Sequence, residues 1–149
     1  MKKALLYFVP FLLSVPAFAQ RTTEPVDNKS NKIIAIFPDT LSEAQLYQEA
    51  GKALVQQGFN VDSREQSFGL LLATIDLSQN LLISQDSLNL RVTVSGNEVA
   101  ITGKFTALGY MNRLKYTAKR NNQRVRWDRA VKVFEKLPVV RMEYEIVQL

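Results

Sequence analysis

The side chains able to do chemistry in this chain are carboxylates, hydroxyls, lysines and arginines, because its 149 residues include no histidine and no cysteine. Without histidine, the usual general base near neutral pH and the commonest metal ligand are both missing. Without cysteine there is no thiol nucleophile, no Cys-containing zinc site and no disulfide. Ser-His-Asp triads, Cys-His pairs and His-based zinc hydrolases are thereby excluded. Two carboxylate pairs remain, Asp62 with Glu65 and Asp76 with Asp86. Glycoside hydrolysis needs two acids held a defined distance apart across a cleft, and the sequence does not place either pair in that way, so both read as turn and surface acids. No metal site, cofactor motif or catalytic residue is identified. The expectation is a protein that is not an enzyme, with a small carboxylate-based hydrolase ranked third.

Positive charge is concentrated late in the chain. Residues 113–141 hold ten basic residues against Asp128 and Glu135, whereas residues 20–112 hold seven basic and ten acidic ones. On a helix predicted over residues 124–137, Arg129, Lys132 and Lys136 have the i, i+3, i+7 spacing of one ridge, opposite an apolar arc of Trp127, Ala130, Val131, Phe134 and Leu137. Lys119, Arg120, Arg124 and Arg126, together with Arg113 and Lys115, precede that ridge and extend it. Such a surface attracts a polyanion, an anionic membrane or an acidic partner. The plainer reading is a solvated helix face, which charge patterning alone does not distinguish. Nucleic acid is not an expected partner. Trp127 belongs to the apolar stripe and is expected in the core, while Tyr110 and Tyr116 read as isolated aromatics.

The elements that position these residues follow from pattern. Residues 32–37 form an apolar run ending at Pro38, as a buried strand would. Thr40 with Glu43, or Ser42 with Gln45, offers a capping box for a helix whose small residues Ala50, Gly51 and Ala53 permit close approach to a sheet. Gly58 suits the left-handed position after that helix, with Phe59 as the hydrophobic contact beyond it. Residues 59–62 alternate, 66–69 form a polar turn, and 70–77 are apolar enough for a strand buried on much of both faces. Residues 78–87 are ambiguous, Leu81-Leu82-Ile83 fitting either a short strand or a loop plug.

The sharpest local signal is residues 88–108. Gly96-Asn97 suits a type II′ turn. That register pairs Val94 with Val99, Val92 with Ile101, Leu90 with Gly103 and Leu88 with Phe105 on one face, leaving Asn89, Arg91, Thr93, Thr102 and Lys104 on a polar one. Residues 109–123 read as a strand continuation or loop, Pro138 ends the second helix, and Val140, Met142, Tyr144 and Ile146 alternate in a last strand. The order implies an α+β fold, a mainly antiparallel sheet of about five strands with two helices packed on one face.

Residues 1–19 read as a secretory signal peptide: Lys2 and Lys3, an apolar stretch over 4–15, and Ala17-Phe18-Ala19 before Gln20. The apolar stretch is shorter than the roughly 20 residues of a spanning helix and contains Pro10 and Pro16. Export to a periplasm or medium is expected, without a transmembrane segment after cleavage. With no cysteine to carry lipid, the mature chain is not expected to be lipid-anchored. Residues 20–31 read as a flexible polar tail, and 32–149 as a single domain.

Leu46-Tyr47 through Ala53-Leu54, then Gly58-Phe59-Asn60-Val61, then the run from Ser67 to Thr74 give an amphipathic helix, a Gly-Phe exit, an alternating strand, a Gly-containing turn and a strand ending in small residues. With the Trp-containing second helix, this pattern resembles small exported bacterial α+β domains of the general kind found in the outer-membrane assembly lipoprotein BamC. The resemblance implies helices packed on an antiparallel sheet and a non-enzymatic envelope role, and it carries over no functional residue. The expected function is an exported accessory module that binds a protein or glycan in the cell envelope. The alternative is a binder of polyanions or anionic membrane surfaces through the basic 113–136 segment.

Overall fold

The computed structural model describes residues 21–77 and 86–147. The expected signal peptide and the Leu81-Leu82-Ile83 stretch lie outside the described residues. One antiparallel sheet is built from β1 (Arg21–Thr22), β2 (Lys32–Ile36), β3 (Asn60–Glu65), β4 (Leu70–Asp76), β5 (Ser87–Ser95), β6 (Glu98–Ala107), β7 (Tyr110–Arg113) and β8 (Arg141–Glu145). Its spatial order is β1-β8-β2-β6-β5-β4-β3, with β7 pairing β6 beyond the end of β2. Two helices, α1 (Glu43–Gln56) and α2 (Asn122–Val131), complete the α+β fold.

The β5–β6 hairpin has the register that alternation demands, Val94 to Val99, Val92 to Ile101 and Leu88 to Phe105. Gly96 sits at φ 58° and Asn97 stays at negative φ, as a type II′ turn requires. Leu88, Leu90, Val92 and Val94 are all buried, together with Val99, Ile101 and Phe105 opposite them. They form one core with Leu46, Tyr47, Ala50 and Leu54 of α1 and Trp127 and Ala130 of α2, so both helices pack on the same face of the sheet. The other face is open.

Of the two possible capping boxes, the second forms. The Gln45 N–H donates to Ser42 Oγ at 3.3 Å, and the Ser42 N–H donates to Gln45 Oε1 at 2.9 Å. At the far end Gly58 takes φ 85°, the Gly58 N–H donates to the Val55 carbonyl, and the Phe59 N–H donates to the Leu54 carbonyl, closing a Schellman motif over buried Phe59.

Four expectations are corrected. The sheet has eight strands, not about five. β1 and β7 are too short for alternation to reveal. Residues 21–31, read as a loose tail, include β1 paired to β8 and a fully buried Ser30 whose hydroxyl accepts from the Val26 N–H at 2.8 Å. β4 buries only alternate residues, Leu71, Ala73 and Ile75, because helices cover one of its faces, and Leu72 is exposed. Finally, α2 begins two residues earlier than expected and tightens into a 3-10 turn over Lys132–Phe134. Advancing about 120° rather than 100° per residue there brings Val133 fully into the core beside Phe134.

Candidate anion-binding face

The open face carries charge in two different ways. Toward β1, β8 and β2, every cation meets an acid. Arg21 donates from Nη1 and Nη2 to the two carboxylate oxygens of Glu98, at 2.8 and 3.0 Å, and lies 3.5 Å from Glu143. Arg141 pairs with Glu143 at 2.8 Å, and Lys32 with buried Glu145 at 2.7 Å. The row of Arg21, Glu145 and Lys32 and the row of Glu98, Ile36 and Arg141 flank that of Ile34, which is wholly buried on this face. The Arg21 hydrogen bonds hold the Glu98 carboxyl below its ordinary value of 4.5 against an opposing desolvation, and raise the Arg21 guanidinium in turn.

The other half lies where β6 exchanges β2 for β7. Lys32 of β2 pairs with Thr102, and Arg113 of β7 pairs with Lys104. Gly103 stands at the changeover. A Cβ there would come within 3.0 Å of the Leu90 and Leu114 side chains, so glycine is what lets those leucines close the core beneath. A concavity of about 510 Å³ opens above it, lined by Asp62, Leu72, Asn89, Arg91, Lys104 and Arg113 among others. Its rim is fixed by Asn31, whose amide both donates to the Val147 carbonyl at 2.9 Å and accepts from the Val147 N–H at 2.8 Å.

Three cations dominate this region. Lys104 and Arg113 are direct cross-strand partners on one face, and Arg91, opposite Thr102, is the diagonal neighbour of Lys104. All three are exposed, and among the described residues none has a hydrogen bond or ion pair. Like charges directly opposite one another oppose folding. Asp62, at the far side of the concavity, accepts from the Thr74 hydroxyl at 2.6 Å. An arrangement of this kind can hold an anion. No described residue set there suits a metal, since no group of three or more acids gathers among the described residues.

The residues expected to form a basic ridge do not gather into one. Arg126 is 4% exposed, ion-paired with Asp86 and stacked 4.5 Å from the Phe105 ring centroid. It faces the β6–β7 hairpin because it lies only about 100° around the helix from inward-facing Trp127. Arg124 donates to Asp128 at 2.7 Å and to the Tyr116 hydroxyl at 3.1 Å while lying over the Tyr116 ring, and the bond to Asp128 raises its pKa. Arg129 reaches the Gln57 carbonyl at 3.4 Å, where its charge complements the C-terminus of α1. Lys119, Arg120, Lys132 and Lys136 are exposed, but α2 has ended before Lys132, and Arg113, also exposed, lies on β7 away from them.

Trp127 is buried between Tyr116 and Tyr144, at centroid distances of 5.8 and 6.1 Å. Asp76 points to the open face, whereas Asp86 turns to Arg126 on the helix side, so they do not face each other. The sequence did place Arg91 and Lys104 on a polar face. What it missed was that Arg113, counted there with the basic 113–136 segment, joins Lys104 instead, because its position depends on β7. No protein-family model matches the chain, and no curated protein sequence matches it either. No helix among the described residues is long and apolar enough to cross a membrane.

Proposed function

We propose that this chain is an exported, non-catalytic accessory module of the cell envelope that holds an acidic partner on the open face of its sheet. The observation that carries the reading is the cluster of Arg91, Lys104 and Arg113, three exposed cations on neighbouring strands with no acid paired to them among the described residues. Folding alone gives no reason to set Lys104 opposite Arg113. A carboxylate-, sulfate- or phosphate-bearing glycan or protein segment would relieve the repulsion and could settle over Leu72 in the concavity. The export signal and the absence of histidine and cysteine support a binding rather than a catalytic role.

In the alternative site, the 113–136 segment, the exposed cations besides Arg113 stand in two places, Lys119 and Arg120 in a loop and Lys132 and Lys136 just past α2. They supply long-range attraction rather than a pocket. Titration of the mature protein with fluorescent oligoglutamate and with oligogalacturonate tests the reading. Salt-sensitive binding is expected, lost in the Arg91→Gln/Lys104→Gln/Arg113→Gln variant and retained in Lys132→Gln/Lys136→Gln. Binding of neither probe, or binding indifferent to the first variant, overturns it. Steady turnover of an ester, glycoside or peptide, abolished by changing Asp62, would establish an enzyme instead.

A further inference from the structure

Beyond the cation cluster, the β6–β7 hairpin continues one pair past Thr106, where β5 still pairs with β6, and ends in apolar side chains. Ala107 pairs with Tyr110 and Thr106 with Met111 around a two-residue turn, Leu108-Gly109. Leu108 is 80% exposed, Tyr110 75% and Met111 67%. Both turn residues have positive φ, 52° for Leu108 and 80° for Gly109, the conformation of a type I′ turn. Asparagine or glycine enters that conformation readily, whereas leucine is strained in it. A leucine there is neither required by the turn nor buried by the fold.

The apolar groups surround the tip instead of covering one face. Met111 shares the open face with Thr106 and Arg113, Tyr110 shares the helix face with Ala107, and Leu108 caps the end. A partner docked flat on the sheet would cover Met111 and leave Tyr110 wet. A medium entered end-on would bury all three.

Charge identifies the medium. Lys104 and Arg113 form a cross-strand pair four residues back from Leu108, about 13 Å along a strand. Interfacial segments bury apolar groups to about 5–10 Å at the headgroup–acyl boundary. With the tip at that depth, the two cations stand at the level of lipid phosphates, and Tyr110 sits where interfacial tyrosines concentrate. On the open face Asp76 lies two strands from Lys104 and Asp62 across the concavity, and Asp86 is paired with Arg126 on the other side.

We infer that the β6–β7 hairpin inserts Leu108, Tyr110 and Met111 into the surface of an anionic bilayer, with Lys104 and Arg113 on the lipid phosphates. This rests on the reading of the cation cluster as an anion site and names its partner as lipid.

The test is cosedimentation of the mature protein with phosphatidylglycerol–phosphatidylcholine vesicles and with phosphatidylcholine vesicles, alongside oligoglutamate titration. Wild type is expected on anionic vesicles and not on neutral ones. Leu108→Asn/Met111→Ser should weaken vesicle binding by about tenfold or more while leaving oligoglutamate binding and the melting temperature at least unchanged. Tyr110→Ser, which leaves the turn alone, should weaken it in the same direction, and Lys104→Gln/Arg113→Gln should weaken both kinds of binding. Phe68→Ser, at an equally exposed aromatic beside the opposite end of β4, should change neither. Vesicle binding unaffected by the tip variants overturns the inference. Wild type that binds oligoglutamate but ignores anionic vesicles overturns it and leaves the anion site standing, and wild type that binds neither removes both.

Discussion

The two halves of the open face use the same residue types to opposite ends. Over β1, β8 and β2, Arg21, Lys32 and Arg141 each meet Glu98, Glu143 or Glu145, and the lattice covers buried Ile34. Over β5, β6 and β7, Arg91, Lys104 and Arg113 stand beside one another with no described acid in contact. The first half ties β1 and β8 to the rest of the sheet, so its charges serve folding. In the second, electrostatics work against folding and only an external anion would reverse the sign. Where a sheet neutralises itself it is structural, and where it leaves a surplus it is available for binding.

The largest expected effect breaks the contrast between the faces themselves. Val92 is wholly buried against the helices, whereas Thr93 points to the open face. Val92→Asp would bury a carboxylate without a partner and is expected to cost about 3 kcal/mol or more. Thr93→Asp should stay within about 0.5 kcal/mol. Urea melts of both variants check this, and comparable losses would mean that the face assignment is wrong.

The paired half comes next. Arg21 and Glu98 meet through two charge-assisted hydrogen bonds, yet their side chains remain 42% and 33% exposed. Solvent screening limits their coupling in a double-mutant cycle to about 1 kcal/mol. The pH dependence has a definite sign. Because Glu98 is held below 4.5 in the folded protein, its contribution is complete at pH above its unfolded value and disappears as pH falls through the folded one. Glu98→Gln should therefore lower the melting temperature at pH 7 and flatten its decline below about pH 4.5. An unchanged acid limb would exclude Glu98 as a source of acid sensitivity.

Leu108→Asn is expected to stabilise the fold by about 1 kcal/mol, by relieving a left-handed leucine. Calorimetry decides it. Destabilisation would mean that the leucine packs against something and is not free to enter a membrane.

How legible these features are depends on how local their causes are. The β5–β6 hairpin is written in consecutive residues, alternating apolar side chains around Gly96-Asn97, and α1 declares itself through Ser42, Gln45 and Gly58. Arg21, by contrast, finds Glu98 across 77 positions of sequence, and Arg126 finds Asp86 across 40. No periodicity encodes those meetings. Nearness in sequence to the ridge therefore set Arg126 among exposed cations, although Asp86 and Phe105 draw it inward. Two of the three cations of the candidate site were visible, since alternation alone puts Arg91 and Lys104 on the polar face. Arg113 was not, because β7 is four residues long and its register is fixed by pairing with β6.

The smallest effect is the most direct measure of the unpaired half. Lys104 and Arg113 have Cβ atoms about 5 Å apart by the geometry of a cross-strand pair, but both side chains are exposed and can splay, so their repulsion amounts to a few tenths of a kcal/mol. Lys104→Gln and Arg113→Gln should each raise stability slightly. The double variant should gain less than the two gains added, because the first neutralisation already removes the repulsion. Salt distinguishes this from a packing effect: the gains should be largest at low ionic strength and fade as the Debye length shrinks to about 8 Å at physiological salt. The coupling energy should thus be opposite in sign to that of Arg21 with Glu98, measured by the same cycle on the same sheet. An attractive coupling, or a loss of stability on neutralising Lys104, would show that this half is held together like the other and remove the electrostatic reason for an anion there.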